Sequence, residues 1–296
     1  MCMSQLKFCL ITPSYKPDFA RCRLLVQSCD RFIEQSIHHY IVVDRQDYKL
    51  FQQLKGKNRT IITVESILPP WIQKFLGIPN GWFSFKTLPI RNWLIQQIVK
   101  LEIVNHLLED ILIFVDSDVA FIRPFSFQQF VKKGQVRLFR ASFAPSSLSN
   151  VKTQIKWCHT ATSLLGLPLL ATFDRDPFVS YVGNLITWRR DNILQLHQHI
   201  ERVTQKSWIE AIANSWSFSE YMLYGIFVEQ ILKERSGHYC DLQPVTHEYW
   251  GTKPLTQKQL QQFWQNITSE CIAVMISAKS KTPIDAYAPF IKSSKL

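Results

Sequence analysis

At 296 residues and 34.7 kDa the chain can bury a sizeable core without help from disulfides or metals. Its composition, 46% hydrophobic and 19% charged, is that of a folded globular protein and excludes a disordered or collagen-like chain. Lys and Arg outnumber Asp and Glu by 34 to 23, and the net charge of +11 points to an anionic partner such as a nucleotide, an acidic membrane surface or nucleic acid.

The basic residues are dispersed and come with no zinc-finger spacing or RNP-type aromatic motif, so nucleic acid is not the expected partner. With only 9 Gly, a glycine-rich phosphate loop is disfavoured as well. No apolar run approaches the roughly 18 residues of a spanning helix. The apolar run Phe8–Ile11 is too short for a secretory signal. The expected location is therefore cytoplasmic, with room for peripheral membrane contact. Seven scattered cysteines without a C-x-x-C pair read as buried thiols.

In chain order, short β-branched or apolar runs at 6–12, 40–43 and 60–64 alternate with segments of helical spacing. The first of these segments, after Pro17-Asp18, buries Cys22, Leu25, Val26, Cys29, Phe32 and Ile33 on one face. A turn-rich stretch follows, in which Trp71, Ile72, Phe75 and Leu76 suggest a short helix. A long helix is predicted over 90–108 and an uninterrupted apolar strand over 111–115, of the kind that lies in the middle of a sheet. The second half is less regular: a strand at 136–141, a Ser-rich loop to 150, a strand at 182–188, helices at 192–203 and 218–234, and a helix and strand within 258–277. The alternation predicts an α/β fold with a mostly parallel central sheet flanked by helices. It forms a single domain over 1–278, and residues 279–296 read as a loosely held tail.

The sharpest chemical feature is Asp116-Ser117-Asp118, directly after the apolar strand. Open α/β sheets bind ligands at strand carboxyl ends. Two carboxylates two residues apart can reach a hard divalent cation there, Mn²⁺ or Mg²⁺. The plainer account is a solvated turn of two acids. A phosphohydrolase of the haloacid dehalogenase type also uses D-x-D, but it needs Thr or Val where this chain has Ala120, and it needs a later acid pair that is missing.

The order of elements, with D-x-D after several strands, resembles glycosyltransferases of the GT-A (Rossmann-like) fold over about residues 6–254. The T-P-S start and the D-S-D are also similar to bacterial nucleotide-sugar transferases. The resemblance implies a nucleotide-binding half, 1–125, and an irregular acceptor half, 126–278. The activity it implies is transfer of a sugar from a nucleoside diphosphate sugar, UDP-linked by first guess, to a glycan, lipid or protein acceptor.

By the same resemblance Thr12, Pro13, Ser14, Tyr15 and Asp44 would cradle the nucleotide, Gly183 and Asn184 the donor sugar, and Asp116, Asp118 and His247 the metal. Glu220 would be the acceptor-side base. Lys100 and Lys253, with Lys86 and Arg91 behind them, would offset the charge of the departing diphosphate. Structural alternatives stand beside these roles: an ordinary turn at Thr12–Ser14, a loop acid at Asp44, a β-bulge at Gly183, and a Ser217-x-x-Glu220 capping box. Phe218, Tyr221 and Tyr224 offer faces for sugar rings. A basic, non-catalytic binding protein on the same scaffold is the alternative from another class.

Overall fold

The computed structural model describes residues 6–75, 81–143, 151–168 and 178–293. The chain begins with β1 (Phe8–Pro13), α1 (Phe19–Phe32), β2 (His38–Val43), the single-turn helix α2 (Tyr48–Phe51), β3 (Arg59–Thr63) and a second single turn, α3 (Val64–Ile67). A small antiparallel sheet of β4 (Ile72–Lys74), β5 (Gly81–Ser84) and β6 (Ile90–Arg91) leads into α4 (Asn92–Glu102), then β7 (Ile111–Val115) and β8 (Val119–Phe121).

Next come β9 (Val131–Lys132), β10 (Gln135–Phe139), β11 (Ala141–Phe143), α5 (Val151–Leu164), β12 (Phe178–Ser180), β13 (Leu185–Arg189), α6 (Arg190–Thr204) and α7 (Trp208–Ala213). The chain continues with α8 (Glu220–Ile226), which runs into a π-helical turn at Phe227–Leu232, then β14 (His238–Asp241), β15 (Thr246–Tyr249), α9 (Gln257–Gln265), β16 (Ala273–Ile276) and α10 (Ile284–Ser293).

The central sheet has the order β13-β7-β1-β2-β3. Strands β7, β1, β2 and β3 are parallel, and β13 closes one edge antiparallel. All five residues of β7 are buried, because alternate side chains enter two different cores. Leu112 and Phe114 pack with α4 and α8, whereas Ile111, Ile113 and Val115 pack with α1 and with β8 and β16. The chain steps from β1 outward to β2 and β3 and only later returns to the other side of β1. The crevice between the carboxyl ends of β1 and β7 is thus the point where strand order reverses, the usual ligand site of such sheets.

Several expectations are corrected. Residues 72–74 are a strand, not a helix, because Ile72 pairs with Ser84 and buries itself beside Trp82 in the small sheet. Leu76 and the Ser-rich loop beyond Phe143 lie outside the described residues. The predicted helix over 218–234 is α8 plus the π-helical turn. The segment taken as a loose tail holds α10, whose Tyr287 and Ile291 are buried and whose packing ties it to α1 and α9. Cys9, Cys22, Cys29 and Cys271 are buried free thiols, and Cys240 is exposed.

Candidate functional site

Three turns converge at the carboxyl edge of the sheet. Strand β7 ends by delivering Asp116, whose backbone N–H donates to the carbonyl of Asn184 at 3.1 Å. The tight turn through Ser117 then aims Asp118 at the loop after β16, where its Oδ2 accepts the N–H of Ala278 at 3.0 Å. From the β1 side, Tyr15 lies in the same electrostatic neighbourhood as Asp18 and Asp118.

A buried ammonium faces these acids. Lys100, on the last turn of α4, donates from Nζ to Glu220 Oε1 at 2.9 Å and to the Tyr221 hydroxyl at 2.7 Å. Burial alone would push this ammonium down, but the pull of Glu220, Tyr221 and Asp116 outweighs it and holds Lys100 protonated. Burial is also the main cause that pushes the Asp116 carboxyl up to about 7. Lys100 opposes that shift, while Asp118, Glu220 and Glu248 reinforce it by repulsion.

Asp116, Asp118, Glu220 and Glu248 thus share one edge with the Lys100 ammonium, and Asp18 with its ion-pair partner Arg21 lies beside Asp118. Such an excess of hard oxygen ligands suits a divalent cation of the Mg²⁺ or Mn²⁺ type. Among the described residues, no three His, Cys, Asp or Glu side chains converge closely enough to enclose a metal by themselves. Mg²⁺ normally takes one or two protein carboxylates and completes its shell with water and substrate phosphates. Asp116 and Asp118 are the pair that fit this share.

Glu248 is the member that sequence reasoning missed. It lies on β15, where successive side chains alternate between faces. Its carboxylate is held by three donors: Asn184 Nδ2 at 2.8 Å, Thr246 Oγ1 at 2.6 Å and Trp250 Nε1 at 2.7 Å. Its neighbour His247, expected to ligate metal, turns the other way and packs its ring on Phe263 of α9, with centroids 4.4 Å apart. The parallel pairing of β15 with β16 sets this choice of face, and the local sequence around His247 carries no trace of it.

The other expected residues fall into two groups. Lys100, Glu220, Asp116, Asp118 and Asn184 come together. Pro13, Ser14, Tyr15 and Asp44 line a cleft at the ends of β1 and β2, with Asn92 and Gln96 of α4 opposite. Within it Asp44 is ion-paired with Lys74 of β4.

Thr12 is fully buried and bonded through Oγ1 to His39 Nε2 at 2.9 Å, so its hydroxyl belongs to the sheet interior. At Gly183 a Cβ would meet Ile186 at 3.0 Å and Phe139 at 3.2 Å, so close packing within the chain accounts for that glycine. Lys253 is exposed, in a turn tied by the Tyr249 hydroxyl to its carbonyl at 2.9 Å. Lys86 and Arg91 lie over the rings of Trp71 and Trp216 instead.

The Ser217-x-x-Glu220 capping box does not form. Ser219 caps α8 by accepting the Met222 N–H, which frees the Glu220 carboxylate for Lys100. Phe218, Tyr221 and Tyr224 are buried in the core and present no open faces to a sugar.

Fold and site together define an α/β protein whose parallel sheet carries, at its carboxyl edge, a cluster of acids around a buried lysine. Residues 6–286 match the profile of a family of unknown function, DUF6492, and the chain belongs to that family. No curated protein shows significant similarity to it.

Proposed function

We propose that the protein is a metal-dependent glycosyltransferase of the GT-A type, moving a sugar from a nucleoside diphosphate sugar to an acceptor hydroxyl. The observation that carries this reading is the pair Asp116 and Asp118 at the end of the central parallel strand, beside the point where strand order reverses, in a cluster where acids outnumber cations. Asp116 and Asp118 would hold Mn²⁺ or Mg²⁺. When bound, such an ion supplies a Lewis acid for the diphosphate leaving group.

The chain's own residues divide the remaining work. Base and ribose would lie against Pro13, Ser14 and Tyr15 at the mouth of the narrow cleft, where Lys74 pairs with Asp44. Lys100 adds positive charge behind the acids. Asn184 and Glu248, bonded to each other, border the side on which the donor sugar would lie. In the transfer the bond between the anomeric carbon and the diphosphate oxygen breaks, a bond to the acceptor oxygen forms, and the acceptor's proton is released. The pairing of Glu220 with Lys100 favours a positioning role for Glu220 over the acceptor-side base that the resemblance implies.

A thermal-shift and calorimetric comparison of UDP and other nucleoside diphosphates, with and without Mn²⁺, tests the reading. Binding that requires Mn²⁺ and is abolished by Asp118→Ala, with the fold intact, is the expected result. Absence of binding at millimolar nucleotide with metal present, or unchanged metal-dependent binding by the variant, would overturn it.

A further inference from the structure

The outer face of the small β4–β6 sheet exposes an unusual amount of aromatic surface. Its inner face buries Ile72, Trp82 and Ile90, so the pleat turns Phe83 and Arg91 outward. Phe85 follows, 67% exposed, with its ring 4.8 Å from that of Phe83, and Leu88 in the next turn is 74% exposed. The guanidinium of Arg91 lies 4.7 Å from the ring of Trp216, which is itself 81% exposed. Trp93, two residues on, stacks on Trp157 of α5, a helix that also carries the exposed Lys152 and Lys156.

The charge pattern of this face is one-sided. No Asp or Glu occurs at positions 66–101, 119–173 or 211–219, the stretches that supply its strands, helix α5 and Trp216. Aromatic side chains rimmed by Lys and Arg match the interface of a bilayer: rings settle at headgroup level and cations meet anionic lipid. A second copy of the same face would set like charges against each other, which disfavours self-association.

We infer that this face docks the protein peripherally on an anionic lipid surface. The inference does not depend on the reading of the carboxylate site, but it bears on it. Lys74 of β4 pairs with Asp44, and Asn92 at the start of α4 lines the cleft beside Tyr15. Docking would therefore bring the carboxyl edge of the central sheet close to the membrane.

Co-sedimentation of the whole protein with vesicles tests this, using phosphatidylcholine alone and phosphatidylcholine mixed with phosphatidylglycerol. Binding to the mixed vesicles only, weakening as salt rises, is the expected result. Lys86→Gln/Lys152→Gln/Lys156→Gln should weaken it roughly a hundredfold, and Phe85→Ser/Trp216→Ser about tenfold or more, with unchanged melting temperatures. Failure to bind mixed vesicles would overturn the inference, as would binding by both variants as tight as that of the unaltered protein. A dimer in light scattering that the Phe85→Ser/Trp216→Ser variant dissolves would reassign the face to a second copy. Saturable binding of a soluble oligosaccharide lost in that variant would reassign it to a glycan.

Discussion

A lysine ammonium buried against Glu220 and Tyr221 is largely shielded from solvent that could replace either partner. Lys100→Met would leave the Glu220 carboxylate uncompensated beside Asp116. Breaking a buried pair from one side typically costs about 3–5 kcal/mol, so a loss of that size is expected in urea denaturation. Glu220→Gln is the gentler change, since the amide oxygen can still accept from Lys100 Nζ. If Glu220 positions the ammonium, turnover should fall by less than about tenfold. A general base at that atom would lose on the order of 10²-fold or more, because an amide cannot take the proton. Turnover assays on the variant separate the two, and its melting temperature shows whether the pair is kept. Asp116 and Asp118 were legible as residues because a D-x-D after five apolar side chains is a local pattern. Lys100 was legible only as a candidate cation, since its partner lies 120 positions away.

On strand β15 a difference of one residue decides which side chain meets the acids. His247 packs on Phe263, and burial pushes its imidazole down, away from the charged form. His247→Ala should leave Mn²⁺-dependent nucleotide binding unchanged and lower stability by about 1 kcal/mol through the lost ring contact. Glu248→Ala strips the acceptor from three donors at once. It should cost about 2–3 kcal/mol and weaken metal-dependent nucleotide binding about tenfold. Calorimetry and thermal melts of the two variants check both statements. A strand was not legible at 246–249, because only four residues are involved and their alternation means nothing until β16 supplies a register. By contrast, α1, α6 and β7 were readable with small shifts at their ends, because each repeats its apolar spacing over enough residues to outweigh local exceptions.

Across the whole molecule, stability in mild acid should depend on three interior histidines. His39 sits in the sheet against Thr12, His197 stacks on Trp208, and His238 lies between the Tyr224 hydroxyl and the Val136 carbonyl. Burial lowers His39 and His197 to about 3 and His238 to about 4. With folded values depressed below the ordinary 6.5, the unfolded chain takes up protons first as pH falls. Stability is then fully present above about pH 6.5 and lost as pH falls from there to about 4 for His238 and about 3 for His39 and His197. At pH 5 the loss amounts to about 2 kcal/mol per histidine. The Asp116 carboxyl, pushed up to about 7, works the other way over the same range and offsets part of the loss, so the histidine share is read from the variant: His238→Gln, whose amide can still bond Tyr224, should lessen the fall in stability between pH 7.5 and 5 by about 2 kcal/mol in denaturant melts.

Sequence alone determined the alternation of strands and helices in the first half, the burial of β7 on both faces, the acidic pair that ends it and the strong basic charge, because all of these follow from composition and short-range periodicity. Tertiary structure decided the rest: that Lys100 faces Glu220, that Glu248 and not His247 borders the acids, that Thr12 turns inward, that 72–74 is a strand, and that α10 packs on α1. Each of these depends on pairing or packing between segments far apart in the chain. No local rule of hydrophobic spacing holds that information, since a side chain's face and partner are set by which surface the rest of the fold brings against it.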